Sequence, residues 1–260
     1  MMLATQRRQL ILHSIENDGA VTVSRLAISL GVSEMTVRRD LDVLEKSGQV
    51  IKVHGGATST KMNKSVEPGF AAKVKLEQQS KLAIANVAIE MVQPGAAVAL
   101  TAGSTTYAIA KRLIEVPNLT LITNSIRVAE LFHDGATSDT EVIVLGGTRT
   151  PSDALVGPMA NHNIANLNID ICFMGVHGID AQAGITSPNL LEAETNRALA
   201  EVSRLFVVVA DSTKWGTIGL HSIAPLSEIS TLITDSRIST ASLATLHENI
   251  DDIRIADLVD

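Results

Sequence analysis

The sequence predicts an α/β protein with two domains, a small helical domain at the N-terminus and a larger domain built on a mostly parallel sheet. Three observations predict this. Helical spacing of apolar residues dominates the N-terminal part, strand-like apolar runs alternate with helical segments further on, and a polar, aperiodic stretch closed by Pro68-Gly69 separates the two. The predicted divisions are a first domain at 1–57, a linker at 58–72 and a second domain at 73–260.

The chain begins with two predicted helices joined by a short extended segment. Arg7 to Ile15 carries apolar residues at i and i+4, which predicts a first packing helix. Val21-Thr22-Val23 is strand-like, and Ser24 is placed to cap a second helix that runs to Leu30. Gly31 suits the turn that follows, because glycine tolerates left-handed backbone angles.

A third helix follows Ser33, whose hydroxyl can satisfy a free N–H of the first turn. Val37, Leu41 and Leu44 lie at i, i+4 and i+7 and therefore form one apolar face. Gly48 suits the end of the helix. The order of helix, short helix, glycine turn and third helix is typical of a helix-turn-helix.

Two arginines, Arg38 and Arg39, lie near the start of this third helix and away from its apolar face. A helix that enters the major groove needs this arrangement, because its N-terminal residues reach base edges and phosphates. Such a pair is also common on an ordinary solvated helix face, so the pattern alone leaves both explanations open.

The segment Gln49 to His54 alternates polar and apolar residues, and Gly55-Gly56 ends it. It is predicted to be a hairpin arm, or wing, behind the third helix. Lys52 and His54 are placed to contact phosphates or the minor groove.

Charge is divided unequally along the chain. The net charge is −7, but residues 1–61 carry +2 and residues 62–260 carry −9. A basic module joined to an acidic body is typical of a nucleic-acid-binding unit attached to something else.

The chain is 45% hydrophobic, which predicts a substantial core, but no apolar run reaches the length of a membrane span. The N-terminus lacks the layout of a signal peptide, so we expect a cytoplasmic protein. Cys172 is the only cysteine and lies in an apolar run, which predicts a buried thiol and no internal disulfide.

The second domain alternates helical and strand-like segments, which predicts a largely parallel sheet with helices on both sides. Ligands of such folds bind at the carboxyl ends of the strands. The predicted helices are 75–91, 107–114, 125–132 and 190–202, and the predicted strands are 97–100, 119–123, 141–145, 169–174, 205–209, 232–234 and 254–256.

Polar turns recur at the predicted carboxyl ends of these strands. The turn Gly103 to Thr106 opens a helix, and its amides and hydroxyls favour a phosphate. Asp180 and Glu192 can accept hydrogen bonds from sugar hydroxyls, and Lys214 can hold a phosphate as a point charge. Arg149 can pair with an anion. Ordinary caps, turn residues and a surface arginine are the alternatives. The candidate effector-binding residues are Gly103, Ser104, Thr105, Thr106, Asn124, Arg149, Gly178, Asp180, Glu192 and Lys214.

Motifs in both domains resemble the DeoR family of bacterial repressors, and the resemblance covers nearly the whole chain. In the second domain it rests on the turns that carry the candidate effector residues, together with Gly146-Gly147 and Gly184-Ile185-Thr186. In the first domain it rests on Arg7-Arg8-Gln9-Leu10-Ile11, Val32-Ser33-Glu34-x-Thr36-Val37-Arg38-Arg39-Asp40-Leu41-x-x-Leu44-Glu45 and His54-Gly55-Gly56-Ala57.

The resemblance implies a winged helix-turn-helix that binds double-stranded operator DNA, with Thr36, Arg38 and Arg39 at the DNA surface. It also implies a sensor domain similar to ribose-5-phosphate isomerase that binds a phosphorylated sugar. Members are usually repressors of carbohydrate genes and assemble as dimers or higher oligomers, so we expect a homodimer or homotetramer. The candidate DNA-binding residues are Ser33, Thr36, Arg38, Arg39, Lys52 and His54.

An isomerase-like enzyme with an accessory DNA-binding module is the main alternative. Asp180 and Glu192 can stand for the acidic residues of the isomerases, but no lysine lies between Ala181 and Leu191. Isomerisation through an ene-diol needs a proton-transfer base and an electrophile together. We therefore expect binding without turnover, with no catalytic residue, cofactor or metal.

A second alternative is a DNA-binding scaffold whose sensor site is vestigial. Asn196 and Arg197 occupy a stretch where many family members carry a lysine, which leaves the identity of the effector open.

Overall fold

A computed structural model of the chain describes residues 4–18, 20–53, 56–59, 69–135 and 139–258. The chain divides into two compact units, residues 1–66 and 67–260. Among the described residues, no helix is both long enough and apolar enough to cross a membrane.

The smaller unit is a winged helix-turn-helix, as predicted. Three helices pack against a three-stranded antiparallel sheet in the order β1-β3-β2. Its elements are α1 (Ala4–Asp18), β1 (Ala20–Thr22), α2 (Val23–Leu30), α3 (Glu34–Lys46), β2 (Val50–Val53) and β3 (Gly56–Ser59).

Local capping explains where the helices of this unit begin and end. Gly31 ends α2 in the left-handed region at φ 63°, and the Ser33 hydroxyl accepts from the amide of Thr36 at 3.2 Å, both as predicted. The prediction that Ser24 caps α2 is wrong. The helix begins two residues earlier, at Val23, so the extended residue Thr22 is its cap and accepts from the amide of Arg25 at 3.3 Å.

The core of the smaller unit contains the predicted apolar face of α3, with Val37, Leu41 and Leu44 all buried. It also contains a charge that sequence reasoning missed. The carboxylate of Asp40 is buried and accepts from Nε of Arg7 at 2.5 Å. This ion pair ties α3 to α1 across the core.

In the described part of the larger unit, seven parallel strands form one sheet, in agreement with the predicted fold class. In order across the sheet these strands are β15 (Asp252–Ala256), β14 (Thr231–Asp235), β12 (Ser203–Val209), β9 (Ile169–Gly175), β4 (Ala97–Leu100), β5 (Thr120–Thr123) and β6 (Glu141–Val144).

Side chains of each strand alternate between two buried cores, one on each face of the sheet. Along β9, Ile171 and Phe173 enter one core while Cys172 and Met174 enter the other. Burial raises the pKa of the Cys172 thiol to about 12, so this residue is a buried thiol as predicted. The helices that contribute to these cores are α5 (Gln78–Ile89), α6 (Ser104–Leu113) and α7 (Ile126–Gly135) on one face, and α8 (Pro158–Ile164), α9 (Leu190–Glu201) and α10 (Thr240–His247) on the other.

The predicted helix at 75–91 is confirmed as α5, although it begins three residues later than predicted, at Gln78. A separate short helix, α4 (Phe70–Val74), precedes it and was not predicted. Between them Glu77 has a left-handed backbone with φ 50°, which a continuous right-handed helix cannot contain.

The predicted linker at 58–72 overlaps regular structure at both of its ends. Thr58 and Ser59 belong to β3, and Phe70 begins α4. The stretch between them, 60–68, lies outside the described residues, so the domain boundaries stay a prediction.

Short strands were missed because two to four residues carry too little periodicity to predict them. They form a hairpin and a small antiparallel sheet that follows the order β10-β11-β13. These strands are β7 (Thr148–Arg149), β8 (Leu155–Val156), β10 (Gly178–Asp180), β11 (Gly184–Ser187) and β13 (His221–Ala224).

Candidate functional site

The outer side of α3 presents the predicted DNA-binding residues near its N-terminus. Arg38 and Arg39 are exposed, and Thr36 is partly exposed. Arg38 makes a surface ion pair with Glu34 one turn earlier at 3.4 Å. The hydroxyl of Ser33 accepts from a helix amide as the cap, so this residue shapes the start of α3.

Lys52 of β2 is exposed, and its amine pairs with the carboxylate of Asp42 on α3 at 2.5 Å. The hydrogen bond between them raises the pKa of Lys52 and lowers that of Asp42, so both stay charged at neutral pH. An exposed pair of this kind is weak because solvent screens it, so a phosphate can replace Asp42 as the partner of Lys52. His54, the other predicted wing contact, lies outside the described residues.

In the larger unit a pocket, here called the sheet-edge pocket, lies at the carboxyl ends of adjacent strands of the parallel sheet. The loops that follow β4, β9 and β12 contribute to it, together with α4 and α9. Five predicted residues line it, namely Gly103, Ser104, Thr105, Glu192 and Lys214. Lining residues that sequence reasoning missed include Lys73, His177, Ser187, Asn196 and Ile223.

One wall of the sheet-edge pocket is the N-terminus of α6. Gly103 precedes the helix, and no side chain caps it there. The first amides of a helix attract anions because they lack partners within the helix and stand at the positive end of its dipole. This wall is therefore suited to a phosphate or carboxylate group.

Two predicted residues support this wall from below and do not line the pocket. The buried Thr106 hydroxyl donates to the carbonyl of Thr101 at 2.6 Å, and the buried Asn124 side chain accepts from the amide of Ala102 at 2.8 Å. Both contacts fix the loop between β4 and α6, so these side chains shape the pocket and hold the Gly103 turn in place.

Lysine side chains face the helix N-terminus. Lys73 from α4 and Lys214 from the turn after β12 line the sheet-edge pocket, and Lys81 from α5 lines an adjoining cavity with both of them and Ser104. Burial and, to a smaller extent, the positive charge of Lys214 lower the pKa of Lys73 to about 7, against the opposing effect of Glu192. Burial also lowers the pKa of Lys81. An anion bound here would offset this mutual repulsion.

The opposite wall of the pocket carries hydrogen-bonding groups on α9. Glu192 is buried and its carboxylate accepts from the hydroxyl of Ser152. Asn196 lies one turn further along α9 and is also buried. The pocket thus combines a cationic end with a polar wall that can bind hydroxyl groups.

Three further predicted effector residues also do not line the pocket. Arg149 instead pairs with Asp153, with 2.8 Å between Nε and Oδ1. Asp180 is a turn residue, because its carboxylate accepts from the amides of Gln182 and Ala183 at 2.9 and 3.0 Å.

Gly178, the third of them, lies in β10. Its backbone passes so close to the next segment that a Cβ would stand 2.0 Å from the carbonyl oxygen of Thr217. Its role in the described structure is this close packing, and it brings no ligand-binding group to the pocket.

Comparison with known protein families matches both units. Residues 7–63 match a model described as DeoR-like helix-turn-helix domain, and residues 76–236 match one described as DeoR C terminal sensor domain. Together the two matches cover most of the chain and coincide with the two kinds of site described above.

Curated proteins resemble the chain over nearly its whole length. A putative aga operon transcriptional repressor of Escherichia coli O157:H7 is 33% identical over 94% of this chain and 91% of its own. The HTH-type transcriptional regulator GolR of Listeria innocua is 35% identical over 92% and 94%, respectively. An L-fucose operon activator of Haemophilus influenzae is 30% identical over 88% and 91%.

Among solved structures, ribose 5-phosphate isomerase A of Methanocaldococcus jannaschii is similar over 54% of this chain and 55% of its own, with 18% identity and a TM-score of 0.40.

Proposed function

Because the chain belongs to the DeoR family, and is therefore a DNA-binding transcriptional regulator and not an enzyme, we propose that it represses genes of carbohydrate metabolism under the control of a phosphorylated sugar. Operator DNA binds the outer side of α3 and the wing, and the sugar phosphate binds the sheet-edge pocket. The observation that carries the proposal is the meeting of Lys73, Lys214 and the uncapped N-terminus of α6 in one pocket.

The phosphate group of the effector binds at the cationic end of the pocket. Amides at the start of α6 donate to its oxygens, and Lys73 and Lys214 balance its charge as point cations. Since the pKa of Lys73 is about 7, a bound dianion favours its ammonium form, and the protein takes up part of a proton on binding.

The sugar hydroxyls bind along α9. The Glu192 carboxylate accepts hydrogen bonds, and the Asn196 amide both donates and accepts. A ligand that lacks these hydroxyls leaves buried polar groups unpaired, which disfavours its binding. The name of the relative that regulates an L-fucose operon supports a carbohydrate as the class of effector.

DNA is bound in the cytoplasm by a homodimer or homotetramer, in which paired recognition helices reach successive major grooves. The effector must bind one arrangement of the oligomer more tightly than the other in order to shift the population. Relatives named as a repressor and as an activator both exist, so the direction of control is measured from operator affinity with and without effector.

A thermal-shift panel of sugar phosphates, each paired with its unphosphorylated sugar, tests the effector class. A ligand that binds only the folded protein raises its stability by about 2.7 kcal/mol at one hundred times its Kd. We expect at least one phosphorylated member to raise the melting temperature and its unphosphorylated partner to have no effect. If no member stabilises the protein at millimolar concentration, the vestigial-sensor alternative is correct.

A further inference from the structure

The two lysines that line the sheet-edge pocket stand on short elements that cannot fix their own positions. Lys73 belongs to α4, which has five residues, and Lys214 ends a single 3₁₀ turn, Ser212–Lys214. An isolated helix of this length is unstable in water. Something outside both elements must therefore set the separation of the two amines.

Asp235 fixes the segment that carries Lys214. This carboxylate lies at the end of β14, is fully buried, and accepts from the amide and hydroxyl of Ser212 at 2.7 and 3.1 Å. Burial alone would raise the pKa of Asp235, but the hydrogen bonds from Ser212 and Arg237 outweigh it and hold that pKa below its usual value. Asp235 is therefore a charged acceptor that holds the start of the turn.

Arg237 joins this anchor to the segment that carries Lys73. Its Nε donates to the Asp235 carboxylate at 3.1 Å, while its Nη2 donates to the carboxylate of Glu77 and to the hydroxyl of Ser80. Glu77 is the left-handed residue between α4 and α5. One guanidinium thus spans the carboxyl end of β14 and the turn that aims α4.

Lys81 secures the same turn from the other side. Its amine donates to the carbonyl of Lys73 at 2.7 Å and to that of Leu76. These carbonyls lie at the C-terminal end of α4, where a cation stabilises a helix. Arg237 therefore binds the Glu77 side chain and Lys81 binds the backbone, so side chains from outside α4 hold this helix in place.

We propose that Arg237 is a positioning residue, which sets the separation of Lys73 and Lys214 for a phosphate group by joining the α4–α5 turn to the Asp235 anchor. The inference rests on the proposed function of the sheet-edge pocket. Arg237 itself does not line that pocket, and it lies just beyond residues 76–236, which match the family's sensor domain.

The test compares Arg237→Met with Arg254→Met. Arg254 is a matched control because it also pairs with an aspartate two residues earlier, Asp252, and its side chain is similarly exposed, 39% against 46%. Binding of sulfate, which stays a dianion across neutral pH, is measured by titration calorimetry at several pH values, and binding of a sugar phosphate is measured alongside.

The wild-type affinity for sulfate should fall as the pH rises through about 7, because Lys73 loses its proton there. The charged or titratable groups around Lys73 are Glu192 on α9, Lys81 on α5, Lys214, and His177, which lines the same pocket. In Arg237→Met we expect α4 to shift, Lys73 to become hydrated, and sulfate to bind about tenfold more weakly with little dependence on pH. Arg254→Met should match the wild type in both respects.

The inference is overturned if Arg237→Met binds sulfate with wild-type affinity and a wild-type pH profile. Weaker binding with an unchanged pH profile would also overturn it, because that profile would mean that the surroundings of Lys73 had not changed. If Arg237→Met does not fold, Glu77→Gln breaks the same connection more gently and should change the affinity and the profile in the same direction. If the wild-type protein binds neither sulfate nor any sugar phosphate, the proposed function itself fails, and the inference fails with it.

Discussion

The cations on the outer side of α3 come from one continuous segment and face solvent, whereas those of the sheet-edge pocket come from distant segments and are partly buried. Arg38 and Arg39 are neighbours in the sequence and need only a well-formed helix to be presented. Lys73 and Lys214 meet only because α4 and the turn after β12 pack at the same edge of the sheet. The first site therefore needs only one well-formed helix, whereas the second needs distant segments to pack together.

Buried charge also has different roles in the two units. In the smaller unit the buried Asp40 has a cationic partner and holds α3 against α1. In the larger unit burial and the positive charge of Lys214 lower the pKa of Lys73 and of Lys81, and an anion bound among these lysines would offset the repulsion from Lys214. The buried charge of the smaller unit is paired within the fold, whereas in the proposed function the lysines of the pocket pair with a ligand.

The largest effect that this comparison predicts is on stability in the smaller unit. Asp40→Ala removes the buried carboxylate and leaves the partly buried Arg7 guanidinium without it, so the loss should approach the roughly 3–5 kcal/mol that breaking a buried pair costs. Urea unfolding should show this loss in the transition of the smaller unit. Asp42→Ala on the same helix is the control, since its pair with Lys52 is exposed to solvent and its removal should change stability far less. If the two variants lost equal amounts of unfolding free energy, the buried carboxylate would contribute no more to the stability of this unit than the exposed one.

The next effect is on effector binding. If Lys214 contacts the phosphate as proposed, Lys214→Met removes a charge-assisted contact worth about 1.5–3 kcal/mol, and sugar-phosphate affinity should fall about 10- to 100-fold. Operator affinity in the absence of effector should not change, because the substituted residue lies in the larger unit and not in the helix-turn-helix. Lys111→Met is the control, since that lysine is exposed over the ring of Tyr107. Calorimetry measures the first quantity, and fluorescence anisotropy with labelled DNA measures the second.

The reciprocal change tests the output. Arg38→Ala should weaken operator binding by about 1–3 kcal/mol, because an exposed arginine near the start of a recognition helix contacts bases or phosphates. Sugar-phosphate affinity should stay at the wild-type value. Arg204→Ala, at an exposed arginine of the larger unit, serves as the control. Operator binding by Arg38→Ala at wild-type strength would contradict the assignment of this face to DNA.

The smallest effect is the dependence of the pocket on pH. If sulfate binds the ammonium form of Lys73, its affinity should fall about tenfold between about pH 6 and about pH 8, since the pKa lies at about 7. Stability should change in the opposite direction. The folded protein binds fewer protons than the unfolded chain above that pKa, so the free energy of unfolding rises as the pH approaches the ordinary lysine value of 10.5. In Lys73→Met both dependences should disappear, and persistence of either would assign it to another group.

Sequence alone could predict the features whose cause is local. The cap at Ser33, the turn at Gly31 and the apolar face of α3 depend on residues within a few positions of each other. The Gly103 turn was predictable for the same reason, because a strand, a short polar turn and a helix follow one another in the chain. Lys214 was identified from its place just after a strand.

Features decided by packing between distant residues were not predictable. Lys73 follows no strand and belongs to no turn motif, and it lines the pocket only because α4 packs there, before the left-handed break at Glu77. Arg149 and Asp180 were predicted to bind the effector, but each forms hydrogen bonds with a neighbour in the chain, Arg149 with Asp153 and Asp180 with the amide of Ala183. A single sequence shows which residues are polar but does not show which of them already have a partner within the fold.

The burial of Cys172 has a practical consequence for separating the two units experimentally. This cysteine is the only one in the chain, and it lies fully buried in β9 at the middle of the parallel sheet. A thiol reagent can modify it only when that sheet opens, because its burial and its pKa of about 12 suppress the reactive thiolate. The rate at which Cys172 is labelled in native conditions therefore measures how often the sheet of the larger unit opens. Fraying of the recognition helix does not affect this rate. Slower labelling on addition of a sugar phosphate would report occupancy of the sensor without any attached dye.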